Sequence, residues 1–369
     1  MNTLIALLAL FIVGDIGEKS PEQIFKESDY VVYLEIGSLG HRKEEDGTII
    51  HYPRWGKCSG FLHKDNDGIW VLSAGHCVPE YVDHLYGPHV AYFRSSLKKV
   101  PEEIEFFSYD PTFDCSLFRV KNQAALKDFL FPTLGSSKNL VVGQQVIALG
   151  NPFPTRFTQT VGWAVNSSFV GFAINAKQPQ LITHSAIINP GSSGGPLVNL
   201  KGEIIGINVM VFTPPTSGPT TAFGLAVPID DIKFLLTKLK RGGRVEHQSM
   251  GSISFANSYN LHESDLGGLS VPLNDSGRPA KEGLIVIGIK PDTQTALSSL
   301  QVGDLVISCN GQEPEDLIDL FKMIYLKADP FEILKMEVER DGKKIILPLL
   351  LVDTSEKTEK SDMENSPSN

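Results

Sequence analysis

Asn189-Pro190-Gly191-Ser192-Ser193-Gly194-Gly195-Pro196-Leu197 decides the reading of the chain. Two glycines come after Ser193, and a third stands two residues before it. Small residues keep bulk away from one hydroxyl and let backbone N–H groups converge. A nucleophilic serine needs that setting, because attack on a carbonyl creates an oxyanion that N–H donors must hold. The same letters also suit a plain turn between two strands.

Gly191-Ser192-Ser193-Gly194-Gly195 fits the G-x-S-x-G elbow of esterase-type hydrolases, which needs a helix after the serine and a histidine further on. The chain instead continues with Pro196-Leu197-Val198, the turn Lys201-Gly202-Glu203, and Ile204-Ile205-Gly206-Ile207-Asn208-Val209. Short apolar runs around a turn predict a hairpin. Downstream, His247 and His262 have no motif around them. The partners must therefore lie upstream.

The chain of 369 residues is 41% hydrophobic and 21% charged, with 33 Gly and 23 Pro. That length accommodates two domains with cores of their own. Short apolar runs broken by glycine fill the first two thirds and predict a mainly β part. The net charge of −10 and the lack of basic clusters argue against a nucleic-acid partner.

Residues 4–13 are almost wholly apolar, about the length of a signal-peptide core and too short to span a bilayer. No basic residue precedes them, and Gly14 is the best small residue for cleavage. The expectation is a signal over residues 1–17 and an exported protein, periplasmic or secreted, against a buried first strand. Residues 354–369 are polar and lack aromatics, which predicts a disordered tail.

Residues 21–26 suit a short helix, and 30–36 a first strand. Residues 41–52 are charged and glycine-broken and predict a surface loop with His41 and His51 solvated. Cys58-Ser59-Gly60-Phe61-Leu62 and Ile69-Trp70-Val71-Leu72-Ser73-Ala74-Gly75-His76-Cys77-Val78 form a hairpin that ends in small residues and a histidine. Those neighbours leave an imidazole free to turn, so His76 is the candidate general base. His63, His84 and His89 look like loop residues. His184 stands in a strand near Ser193 and reads as a packing residue or part of a subsite.

Cys58 and Cys77 bracket the hairpin. An exported protein would bridge them, and the alternative is two buried thiols. Cys115 and Cys309 read as core thiols. Asp114 stands at the entrance to the strand Cys115-Ser116-Leu117-Phe118-Arg119-Val120, where a carboxylate can accept the histidine Nδ1–H. Asp110 precedes a proline and reads as a turn acid.

His76, Asp114 and Ser193 in that order resemble the HtrA/Deg family of chymotrypsin-fold serine proteases. Val142-Gly143-Gln144-Gln145-Val146-Ile147-Ala148-Leu149-Gly150-Asn151-Pro152, Ile188-Asn189-Pro190-Gly191 and Gly202-Glu203-Ile204-Ile205-Gly206-Ile207-Asn208 are similar to family signatures. So is Phe223-Gly224-Leu225-Ala226-Val227-Pro228-Ile229, ahead of a helix over 231–239. The likeness covers about residues 30–240. It departs where Ser192 replaces the usual Asn and Ser73-Ala74-Gly75-His76 replaces Thr-Asn-Ala-His.

The resemblance implies two six-stranded β-barrels, with residues 21–240 as the protease domain. It implies nucleophile Ser193, base His76 and orienting acid Asp114. The oxyanion hole would be the N–H groups of Gly191 and Ser193, with Ser192 assisting. Ile187, six residues before the nucleophile, would floor the specificity pocket and favour small or medium aliphatic residues. The family also implies homotrimers, for which Phe25, Tyr30 and Tyr33 are candidates.

Residues 241–244 read as a linker. Beyond them, Gly283-Leu284-Ile285-Val286-Ile287-Gly288-Ile289, Gly303-Asp304 and Asn310-Gly311, a helix over 316–327 and a hairpin about Asp341-Gly342 resemble a PDZ domain over 245–353. Such α+β domains take a peptide C-terminus by strand addition. The carboxylate loop would fall at Ser249-Met250-Gly251-Ser252, which lacks the usual sequence.

The expected activity is a serine endopeptidase acting on unfolded or damaged proteins. The competing expectation is an idle protease fold serving as chaperone or PDZ scaffold. No H-E-x-x-H, paired C-x-x-C or phosphate-binding glycine loop occurs, so neither metal nor cofactor is expected.

Overall fold

The computed structural model describes residues 17–353 apart from 45, 47, 80–84, 95–99, 153–154, 170–179, 214–221, 250–252, 262–270, 272, 278, 290–298 and 325–332. The signal expected at the N-terminus, except Gly17, lies outside the described residues, as do the tail, His84, His262 and Met250 to Ser252. The chain divides into two units, Met1–Val245 and Glu246–Asn369.

The first unit holds two closed barrels. Helix α1 (Pro21–Lys26) leads in, capped by the Ser20 hydroxyl, which accepts from Gln23 N–H. Strands β1 (Val31–Lys43), β2 (Ile49–Asp65), β3 (Gly68–Ala74), β4 (His89–Phe93), β5 (Glu102–Asp110) and β6 (Cys115–Val120) come next. Their order is β5-β4-β1-β2-β3-β6, and β6 pairs with β5 to close the ring. Closure leaves no open edge, and the interior is filled by side chains. Leu34, Phe61, Leu62, Leu72, Leu117 and Phe118 of these strands are fully buried.

The second barrel contains β7 (Gln145–Gly150), β8 (Thr158–Phe169), β9 (Leu181–His184), β10 (Pro196–Val198), β11 (Ile204–Phe212) and β12 (Phe223–Pro228). Its order is β10-β11-β12-β9-β8-β7, and β10 pairs with β7 to close the ring. Val146, Ala148, Ala164, Ile182, Leu197 and Ile205 fill the centre. Helix α2 (Ile229–Leu239) is next, burying Ile232, Leu235 and Leu239 at helical spacing. The short β13 (Gly243–Arg244) then adds to β5 in parallel. The mainly β architecture with two six-stranded barrels matches the expectation.

One stretch differs from its sequence reading. Residues 41–43 and 49–52 are strand, not loop: β1 and β2 pair without interruption from Val31↔Phe61 to Lys43↔Ile49. The outer half is exposed, including Ile49 and Trp55. Backbone ladder bonds hold it, a contribution that hydrophobic patterning does not reveal. His41 and His51 face each other across this ladder, both exposed. His63 lies within β2 and His89 opens β4, so neither is a loop residue. His89 is buried and accepts the Gly37 N–H through Nδ1.

The aromatic residues considered for subunit contact are largely used within the chain. Tyr30 and Tyr33 are buried, and Phe25 lies 4.3 Å beneath the Arg94 guanidinium. Phe25 remains part-exposed.

The second unit is α+β. Strands β14 (Gln248–Ser249), β15 (Ile253–Asn257), β16 (Leu284–Ile289), β17 (Leu305–Cys309), β18 (Ile333–Arg340), β19 (Lys343–Leu350) and β20 (Val352–Asp353) accompany helix α3 (Leu317–Lys322). The sheet runs β15-β16-β17-β18-β19, and β14 pairs with β20. Leu334, Met336 and Val338 alternate inward along β18, against Leu320 of the helix. Arg340 Nε and Nη2 donate to the fully buried Asp304 carboxylate at 2.6 and 2.7 Å. Burial of that charge is tolerable because the bidentate pair satisfies it.

Candidate active site

Three elements of the first unit supply the site. β3 ends at Ala74, and Gly75–Cys77 forms one 3-10 turn that presents His76. The turn between β5 and β6 presents Asp114. The loop between β9 and β10 carries Ser193.

Asp114 adopts the left-handed region at φ 49°, which Asp tolerates better than most residues. There its carboxylate grips His76 twice. Oδ1 accepts the His76 backbone N–H at 2.7 Å, and Oδ2 lies 2.8 Å from ring Nδ1. That places the proton on Nδ1 and leaves the Nε2 lone pair free to accept one. Burial opposes the imidazolium, but the Asp114 hydrogen bond and charge outweigh it. The His76 pKa ends above its usual 6.5. Asp110, the competing acid, accepts Thr112 and Phe113 N–H instead and shapes the turn.

The serine loop is held by its backbone. Gly191 sits at φ 98° and Gly194 at φ 86°, where a side chain is strained. A Cβ on Gly194 would lie 2.2 Å from the Ser59 carbonyl oxygen and from Ser73 Oγ. Ser192 N–H donates to Asn189 O, Gly194 N–H to Asn208 O, and Gly195 N–H to Ser192 O, at 2.7–2.9 Å. Within residues 191–195, the N–H groups of Gly191 and Ser193 alone donate to no backbone carbonyl.

The Ser193 hydroxyl is part-exposed and donates to Val209 O at 3.4 Å. Among the described residues no hydrogen bond joins it to His76. The acid–base pair is thus formed while its link to the hydroxyl is open. Apo sites commonly show long or absent catalytic hydrogen bonds.

Cys58 and Cys77 form a disulfide with Cα atoms 6.2 Å apart. It ties β2 to the turn carrying His76. Cys115 and Cys309 are buried free thiols.

Ile187 is 68% exposed, while its neighbour Ile188 is 9% exposed within the second barrel's core. An exposed side chain does not floor a closed pocket, so the expectation for Ile187 is corrected. Counting back from the serine fixes a distance along the chain but not the side to which a side chain turns. Ser249 ends β14, and the rest of the expected carboxylate loop lies outside the described residues. A cavity of about 270 Å³ near Glu18, Asn139, Asn199 and Lys201 shares no residue with the site.

Two supporting residues escaped the sequence reading. Ser59, fully buried, and Asn151, 2% exposed, join the barrels beneath the loop. Asn151 Nδ2 donates to Val32 O at 2.9 Å, and its Oδ1 accepts Phe157 N–H at 2.8 Å. Asn151 belongs to the family-like stretch over 142–152, which is a signal of a kind. Ser59 offers only a small residue between a cysteine and a glycine.

Two closed barrels with a His–Asp pair from one and a glycine-flanked serine from the other define a chymotrypsin-like peptidase fold. Residues 58–207 match the family model of the trypsin-like peptidase domain. A probable periplasmic serine endoprotease, DegP-like, of Pseudomonas fluorescens is 35% identical over 236 residues, 64% of this chain and 45% of that protein. The Arabidopsis thaliana protein Protease Do-like 1, chloroplastic, is 29% identical over 320 residues, 83% of this chain and 66% of that protein. The chain therefore spans about half the length of the DegP-like relatives it matches. In fold it is similar to the HtrA-type protease AlgW solved with a decapeptide, with TM-score 0.67 and 20% identity. That match covers 91% of this chain and 99% of the other. The chain is thus similar in sequence to DegP-like serine endoproteases and in fold to an HtrA-type protease.

Proposed function

We propose that the protein is a serine endopeptidase that works through an acyl-enzyme. Ser193 attacks the scissile carbonyl. His76 takes its proton at Nε2 and returns it to the leaving amine. Asp114 holds the tautomer and offsets the imidazolium charge. The Gly191 and Ser193 N–H groups receive the oxyanion, with Ser192 shaping the turn between them. Water then repeats the cycle on the ester. The observation that carries this reading is the double grip of Asp114 on His76, which prepares Nε2 as a base.

The substrates are unfolded or damaged proteins, and the protein works after export, in the periplasm or outside the cell. The names of the relatives and the peptides bound to the AlgW neighbours support both parts. Residues 21–240 act as the protease domain. Residues 245–353 act as a PDZ-like domain with a peptide C-terminus as ligand at Ser249 to Ser252. The working form is a homo-oligomer, a trimer by family resemblance.

A second reading, an idle protease fold acting as chaperone or PDZ scaffold, draws on the unformed bond between His76 and Ser193. A fluorophosphonate probe with peptide mapping decides between the two. The endopeptidase reading requires the label on Ser193, its loss in Ser193→Ala, and casein cleavage only by the parent. An unlabelled parent, or equal cleavage by both proteins, sinks it.

A further inference from the structure

The serine loop belongs to the second barrel, yet one of its anchors comes from the first. Ser59 of β2 makes contacts at each of its polar atoms. Its N–H donates to Ser193 O at 2.8 Å. Its Oγ donates to Gly191 O at 2.7 Å. Its carbonyl accepts from Ser73 Oγ at 2.7 Å. The Asn151 N–H donates to the same Oγ at 2.8 Å. A hydroxyl has one proton. With Asn151 occupying a lone pair, that proton is directed at Gly191 O.

The consequence lies in the peptide plane. Gly191 O and Ser192 N–H belong to one peptide group. Ser59 holds its oxygen and Asn189 O holds its N–H. Gly191 could otherwise rotate freely, since it has no side chain and already sits at φ 98°. Fixing the plane on its C-terminal side limits where the Gly191 N–H can point. Ser59 N–H does the same for the peptide after Ser193.

We infer that Ser59 is a positioning residue: its hydroxyl and N–H, delivered from the first barrel, lock the loop so that the Gly191 and Ser193 N–H groups stay aimed at one oxyanion. The inference rests on the reading of Ser193 as nucleophile. Ser59 touches no reacting atom and acts through Gly191. Disorder of this anchor would leave His76 and Asp114 paired while the oxyanion site loosens.

The test compares the full-length parent with Ser59→Ala and Ser28→Ala. Ser28 is a buried hydroxyl bound to Phe25 O, remote from the loop, and controls for loss of a buried hydrogen bond. Two readouts are taken: steady-state hydrolysis of a peptide substrate, and amide hydrogen exchange of the peptide covering residues 188–197. Ser59→Ala is expected to fold, to lower kcat by roughly 10²-fold, and to keep KM within about threefold. Exchange in the loop accelerates, and the acidic limb of the pH profile, set by His76, stays in place. Ser28→Ala leaves kcat and loop exchange as in the parent. Parent-like kcat and loop exchange in Ser59→Ala overturn the inference. So does a Ser59→Ala protein that does not fold, or one whose exchange rises everywhere, because Ser59 is then a scaffold residue. A parent that takes no fluorophosphonate label marks failure of the nucleophile reading instead, and loop exchange still decides whether Ser59 anchors the loop.

Discussion

Each barrel holds an imidazole near the site, and the two titrate in opposite directions. Burial pushes the His76 pKa down in the first barrel, but the carboxylate beside it lifts the pKa further than burial lowers it. His184 of the second barrel is fully buried, and its Nε2 lies 3.0 Å from Asn208 Oδ1. An amide cannot supply the charge that would offset desolvation, so the His184 pKa falls to about 4. Burial alone therefore makes a neutral packing residue. Burial beside an anion makes a histidine that takes up a proton more readily. Asn208 also accepts Gly194 N–H through its carbonyl and donates from Nδ2 to Gly195 O at 3.1 Å. His184 thus stands behind the serine loop as its support.

The largest expected effect removes the carboxylate from the first member of this comparison. Asp114→Asn keeps the shape but favours the wrong tautomer, and should lower kcat/KM by about 10⁴-fold. Steady-state kinetics at a pH of about 8 on a peptide ester, above the range in which imidazole protonates, checks it. A loss under about tenfold would mean that His76 and His184 do not differ in the way proposed.

Next comes the clamp on the His76 turn. The disulfide joins residues 19 apart. Replacing both Cys58 and Cys77 by Ser should cost about 3 kcal/mol in urea unfolding, in keeping with a loop of that length. Among the described residues no such clamp joins the second barrel's loop, so the damage should fall on the His76 side. Hydrogen exchange around residues 75–78 reads that directly.

A comparable or smaller effect probes the second imidazole. His184 binds a proton less readily when folded than when unfolded. Its contribution to stability is therefore complete above pH 6.5 and is lost as pH falls from about 6.5 toward about 4. The loss approaches about 3 kcal/mol at the acid end. Urea melts at about pH 7.5 and about pH 5, on either side of the unfolded imidazole pKa, should diverge for the parent and converge for His184→Gln. Equal divergence in both would place the acid sensitivity elsewhere.

The smallest effect is a shift in a pH profile. His76 must be neutral to act as base, so kcat/KM should decline as pH drops through a pKa above 6.5. In Asp114→Asn the limb of the residual activity should move toward lower pH, because the carboxylate that raised the His76 pKa is gone. An unmoved limb would detach the titration from the His76–Asp114 pair.

The order His76, Asp114, Ser193 and the glycines about Ser193 were legible because each is a local pattern. Small residues and turn chemistry announce themselves within a few positions. Strands β3, β6, β10 and β11 were legible as short apolar runs and α2 as a helical one, whereas β4 and β5 were not. The outer β1–β2 ladder was not, since its residues are exposed and its stability lies in backbone pairing. Ile187 misled because spacing carries no direction. Ser59 was invisible because a buried serine matters only through what lies opposite, and Gly191 is 132 residues away.

By itself, then, the order of residues determined a mainly β chain with a histidine, an aspartate and a serine set among small neighbours, and the paired barrels came only from the family resemblance. Only the tertiary structure decided that Asp114 takes both the backbone N–H and ring Nδ1 of His76, that Ser193 turns to Val209, and that Ser59 reaches across to hold the loop. The physical reason is range. Propensity and turn chemistry act over a few residues, whereas a hydrogen bond between barrels depends on where two distant backbones come to rest.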